Sequence, residues 1–160
     1  MSASTIQRLE AAVRSEDSVG RFRALTHLDV AASSCVYWVG AVSERGHGRF
    51  WVGEGSVVIA HRFAWALAYG VEALRDCSVL AHSCDNPLCV NVEHLRGSTP
   101  WRNAREWSSR SGLWSGPLSD ARGSRRRARA IRDGLRAGRP LGELLDEGRT
   151  VLERDQLALW

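Results

Sequence analysis

Residues able to bind a metal or move a proton crowd into one stretch of the chain, LAHSCDNPLCVNVEHL (Leu80–Leu95). His82, Cys84, Cys89 and His94 lie there within thirteen positions. Thiolates and imidazoles are the preferred ligands of zinc. Cys84 and Cys89 flank an Asn86-Pro87 turn, so both sulfurs can address one ion, and His94 returns on the following element. A closed structural site needs a fourth ligand. Cys35 is the first choice and Cys77 the alternative. His82 precedes Cys84 by two residues, which on a strand puts both on one face. That leaves an imidazole beside the stapled turn, where it can act as a general base toward water. Asn103 offers an amide oxygen, a hard ligand suited to Mg²⁺ or Ca²⁺; an exposed helix residue is the plainer reading of it.

These residues need a scaffold. Ser4 or Thr5 caps one or two helices over residues 4–25, with Ile6, Leu9 and Val13 on one face. CVYWVGAV, RFWV and SVVIA read as strands separated by the turns SERGHG and VGEG. HRFAWALAY has helical spacing and stops at Gly70. SVLAHS and NVEHLRGS are strand candidates on either side of the Cys turn. Ser98 or Thr99 caps a helix that has Pro100 in its first turn and carries Asn103. After a Ser/Gly-rich linker, SRRRARAIRDGLRAG and LGELLDEG read as a basic and a short acidic helix.

A chain of 160 residues with 44% hydrophobic and 25% charged residues fits one domain with appendages. It has neither an apolar run long enough to span a membrane nor a secretory leader, so a cytoplasmic setting, bacterial or phage-encoded, is expected. Disulfides are then not expected of the four Cys. The net charge of +4 is divided: residues 95–140 hold twelve Arg against three acids, a local +9, and the remainder carries −5. A basic block on a small domain is the footprint of a nucleic-acid binder.

HSCDNPLCVNVEHL resembles the signature of the HNH nucleases, in their zinc-bearing branch, which is similar to the His-Cys box homing endonucleases and shares their ββα-metal motif. Cys35 before an aromatic strand, GHGRF, AHRFAW and the Gly-Ser-Thr…Asn after His94 follow in the expected order, over residues 34–108. The resemblance implies an α+β fold: a small antiparallel β region plus a ββα-metal core with structural zinc, flanked by N- and C-terminal helices. It implies a DNA endonuclease leaving 5′-phosphate and 3′-hydroxyl ends, of homing or phage type. His82 would be the general base. Cys35, Cys84, Cys89 and His94 would hold zinc, and Asn103 the catalytic Mg²⁺ or Mn²⁺. Asn91 would brace the loop and the His82 backbone, and Arg49, Arg62 and His61 would face the scissile phosphate. Two positions depart from the pattern. Val92 stands where Pro is usual. Ala81 stands where some relatives have a second metal ligand, so the catalytic ion would rely on DNA phosphates.

The expected organisation is a helical extension (1–33), the nuclease domain (34–110), a linker (111–119), an Arg-rich DNA-binding segment (120–150) and a tail (151–160). Arg102, Arg105, Arg125, Arg126, Arg127, Arg129, Arg132 and Arg136 are candidate phosphate contacts. The terminal Gln156, Leu157, Leu159 and Trp160 resemble the peptide by which bacterial proteins dock on the sliding clamp. A homodimer is a further possibility. The rival readings are a zinc-stabilised DNA-binding module without catalysis and an RNA-cleaving nuclease of the same fold.

Overall fold

The computed structural model describes residues 1–75, 77–110 and 116–149. It is α+β: six helices and seven short strands in three small antiparallel sheets among the described residues. Helices α1 (Ala3–Arg14) and α2 (Glu16–Ala24) start at Ser2 and Ser15, whose hydroxyls accept from the Thr5 and Ser18 amides. Strand β1 (Thr26–Leu28), not anticipated from sequence, pairs with β2 (Val36–Trp38). Its three residues are too few for alternation to register. The central sheet is β3 (Ala41–Val42), β4 (Gly48–Gly53) and β5 (Ser56–Ile59). Helix α3 (Ala60–Tyr69) follows directly.

The third sheet is a hairpin of β6 (Val79–His82) and β7 (Leu95–Ser98), which joins to α4 (Pro100–Arg110). Thr99 caps α4 by accepting from the Arg102 amide at 3.2 Å. Two ion-pair groups pin α4 to the hairpin. Arg96 and Arg102 share the Glu106 carboxylate, at 2.5 and 3.1 Å. Arg110 makes a two-pronged bond to Asp85, at 2.7 and 2.8 Å.

The core centres on Phe22, Trp38, Phe50 and Phe63, whose ring centroids lie 4.5 to 5.8 Å apart. Phe22 comes from α2 and Leu9 from α1, and both are buried in this cluster. The N-terminal helices are therefore part of the core, and packing does not break at residue 33. The same cluster takes in Ala128 and Ile131 of α5 (Gly123–Arg136) and Leu141 and Leu144 of α6 (Leu141–Asp146). The basic segment thus packs on the domain and does not trail from it. No helix among the described residues is long and apolar enough to cross a membrane.

Candidate metal centre and histidine cluster

Chain pairing brings Cys35 to the Cys turn. Residues 88–90 run antiparallel to β2: the Trp38 amide donates to the Leu88 carbonyl, and the Val90 amide to that of Val36. Tyr37 and Cys89 thereby face each other across a β-bridge. The turn is tight, with Asp85 at φ 53°, a conformation Asp tolerates better than most residues. Cys84 lies in this turn, so the strand ends at His82 and does not run on to Cys84 as the two-residue spacing implied.

The donor atoms of Cys35, Cys84, Cys89 and His94 all lie within 4.8 Å of one another. His94 Nδ1 is 3.6 Å from Cys35 Sγ and 3.4 Å from Cys89 Sγ. Its Nε2 faces the Ser34 hydroxyl at 3.3 Å. A proton on Nε2 directed at that oxygen leaves the Nδ1 lone pair toward the sulfurs, the usual arrangement behind a metal-binding His. The three thiols compete for one negative charge. Hydrogen bonds from Cys84 and Cys89 hold the Cys35 thiol far below its ordinary range. Bonding to the Cys35 sulfur pushes Cys84 up to about 11 and Cys89 higher still. Three sulfurs and one imidazole nitrogen, drawn together around charge that a cation would neutralise, form a cluster able to hold a metal ion such as zinc.

Cys77 is not part of it. Its sulfur lies against Gly97, where a Cβ would fall 2.6 Å away. It lines a separate cavity with Arg62, Arg75 and Ser78. Asn91 braces the loop: its Nδ2 donates to the Ser34 carbonyl at 3.0 Å and its Oδ1 accepts from the Glu93 amide at 3.1 Å. The bracing reaches the residue beside Cys35, not the His82 backbone.

His82, at the end of β6, lies beside this cluster. Its Nε2 is 3.0 Å from the Cys89 carbonyl oxygen. A carbonyl only accepts, so Nε2 carries the proton and Nδ1 keeps a lone pair. Two more imidazoles surround it. The His61 ring is 4.6 Å from it, edge to face, and the His47 ring 6.1 Å; His47 and His61 are 5.6 Å apart. Burial holds all three below the usual His range, with mutual repulsion adding to it for His47 and His61; His47 falls to about 4. All three are neutral at pH 7. Buried His61 Nδ1 has no hydrogen-bond partner.

His47 escaped sequence reasoning because it sits in a turn, GHG. Its flanking glycines were the available signal. Gly46 has φ 84°, and a Cβ there would press on Ser124 of α5 at 3.0 Å. A Cβ on Gly48 would overlap the Trp38 indole. Only glycine fits both positions, and together they fix His47 between them.

The arginines and Asn103 divide. Arg49 is exposed on the outer face of β4, paired in register with Ile59. Arg62 lines the Cys77 cavity: it follows the buried His61 on α3 and so lies on another face of the helix. Asn103 is half-buried on α4, one helical turn before Glu106, whose carboxylate Arg96 and Arg102 hold. Arg127 is not a phosphate contact. It is 4% exposed, donates to Asn86 Oδ1 at 2.9 Å and pairs with Asp120 at 3.4 Å. Arg125 and Arg129 pair with Glu44, and Arg132 with Asp133. Arg126 and Arg136 are exposed without an ion pair among the described residues. Gln156, Leu157, Leu159 and Trp160 lie outside the described residues.

No protein-family model and no solved structure matches the chain. Two relatives come from Escherichia phage T7. The chain is 32% identical to protein 7.7 over 120 residues, 75% of this chain and 90% of that protein. It is 38% identical to protein 2.8 over 87 residues, 54% of this chain and 58% of that protein.

Proposed function

The chain belongs to the family of protein 7.7 of Escherichia phage T7, and from that premise we propose that it is an HNH-type, metal-dependent DNA endonuclease. One observation carries the reading. His82 spends its Nε2 proton on the Cys89 carbonyl, beside the Cys₃His cluster, and keeps Nδ1 free to accept a proton. A neutral imidazole held by a metal-stapled turn is a base at pH 7. It takes a proton from water, and the resulting hydroxide attacks phosphorus. The bond to the 3′-oxygen breaks, the leaving oxyanion takes a proton from solvent water, and His82 returns its own proton to solvent, giving 5′-phosphate and 3′-hydroxyl ends.

Cys35, Cys84, Cys89 and His94 would hold a structural zinc in this reading, which would fix the turn whose carbonyl orients His82. His61 braces the His82 ring edge to face, and His47 completes the imidazole cluster. A divalent ion on Asn103, completed by DNA phosphate oxygens, would stabilise charge on the leaving oxygen. The arrangement of β6, the Cys turn, β7 and α4 is the order a ββα-metal core requires.

The test is plasmid nicking by purified, zinc-loaded protein with Mg²⁺, followed by sequencing of the ends. His82→Ala should lower the rate by about 10²–10⁴-fold, with zinc content and DNA binding kept. Undiminished cleavage by that variant would refute the mechanism.

A second reading is a zinc-stabilised DNA-binding module without catalysis. What favours it is that the Cys₃His donor set and the exposed Arg126 and Arg136 account for metal and DNA binding without a catalytic step. Binding without Mg²⁺-dependent cleavage of DNA would establish it. Cleavage of RNA alone would redirect the first reading to an RNA substrate.

A further inference from the structure

Helix α4 buries none of its residues. Trp101 is 70% exposed and Trp107 54%. Tryptophan is highly buried on average, so two open indoles on one short helix call for an occupant. The helix, PWRNAREWSSR, has no Leu, Ile, Val, Phe or Met. It therefore lacks the aliphatic face that a protein groove or a lipid surface would take up.

Its charges narrow the choice. Glu106, its one carboxylate, is held by Arg96 and Arg102. Asp85 beside it is held by Arg110. The Arg105 guanidinium lies over Trp101, 5.4 Å from the ring centroid. The helix thus offers flat rings and positive charge with no free acid. Asn103 and Trp107 are one turn apart on one flank, and Trp101 with Arg105 occupies the other.

We propose that α4 is a stacking surface for unpaired DNA bases, so that the substrate is single-stranded or locally unpaired DNA. Trp107 takes a base next to Asn103, and Trp101 with Arg105 takes one on the opposite flank. Every base has a π face, so indole stacking is tolerant of sequence, and a stacked guanidinium adds attraction for the strand. The proposal rests on the nuclease reading for Asn103 as the reacting end, while the stacking is read without cleavage.

The experiment uses full-length zinc-loaded protein without added Mg²⁺. Fluorescence anisotropy follows binding to labelled oligo(dT) and to a duplex, each about 20 nucleotides long, long enough to cover one site. Trp101→Ala and Trp107→Ala should each weaken oligo(dT) binding by roughly 5- to 150-fold. Duplex affinity should change by less than about two-fold, as for a contact made to phosphates alone. The Trp101→Phe/Trp107→Phe variant should stay close to wild type, since a phenyl ring still stacks. Equal affinities across the variants, or equal losses on single strand and duplex, would overturn the proposal. So would Trp-dependent binding to phosphatidylglycerol vesicles in place of oligo(dT). A protein that cleaves DNA yet binds it independently of both Trp residues defeats this proposal alone. One that shows Trp-dependent oligo(dT) binding but never cleaves defeats the nuclease reading alone.

Discussion

Replacing Arg127 with Ala separates a structural strut from a phosphate contact. The side chain is buried, and it joins α5 to the Cys turn through Asn86 and to the segment before α5 through Asp120. Asn86 is itself fully buried, and its Oδ1 also accepts from the Leu88 amide. Removing the guanidinium strips a bond from Asn86 and one of two cations from Asp120, whose side chain is 5% exposed. Breaking a buried pair by deleting one partner costs about 3–5 kcal/mol. Arg122 still holds Asp120 at 2.8 Å, so the expected loss lies near the lower end, about 3 kcal/mol. Urea unfolding of the zinc-loaded protein measures it. Arg126→Ala, which breaks no pair, should change stability by less than about 0.5 kcal/mol. On DNA the order should reverse: Arg126→Ala lowers the salt slope of binding and Arg127→Ala leaves it unchanged. An Arg127→Ala protein of wild-type stability with a reduced salt slope would refute the reasoning.

Other outcomes follow from the same geometry. Cys84→Ser or Cys89→Ser should abolish stoichiometric zinc and lower Tm, whereas Cys77→Ser should keep full zinc by elemental analysis. Phe22→Ala should cost about 3–5 kcal/mol in denaturant unfolding, because its ring meets three core aromatics. His47 has its folded-state pKa lowered to about 4. The unfolded chain therefore binds the extra proton first, and His47's contribution is intact above about pH 6.5 and falls away toward pH 4. The sensitivity amounts to up to about 3 kcal/mol. His47→Gln should flatten that acid limb, seen by comparing urea midpoints at pH 7 and pH 4.5; an unchanged limb would contradict it.

The metal cluster was legible because its chemistry is local. Cys84, Cys89 and His94 follow one another around a Pro turn, and Cys35 begins an apolar run. The helices were legible from their period, and α4 also from its Thr99 cap; at α1 the cap is Ser2 and not Ser4 or Thr5, which lie inside the helix, and α3, α5 and α6 have no side-chain cap. Tertiary facts were less accessible. Nothing in RRRARA distinguishes Arg127 from Arg126, because burial is set by which face of α5 meets the Cys turn. Arg62 follows His61 directly, and adjacent helix positions face different surroundings. The N-terminal helices read as an appendage because their buried stripe is thin, and Phe22 alone does not announce the aromatic cluster it completes.

The pairing of residues 88–90 with β2 divides the four ligands between a local hairpin and a strand far away in sequence. Cys84, Cys89 and His94 belong to one hairpin and can gather an ion by local closure alone. Cys35 joins only when a strand some fifty residues upstream docks alongside. During synthesis Cys35 leaves the ribosome first and waits for its partners. A captured ion would be held by three ligands until β2 arrives, and by four afterwards. The tightening of metal binding would then serve as a clock for tertiary folding, read by rapid chelator challenge during refolding.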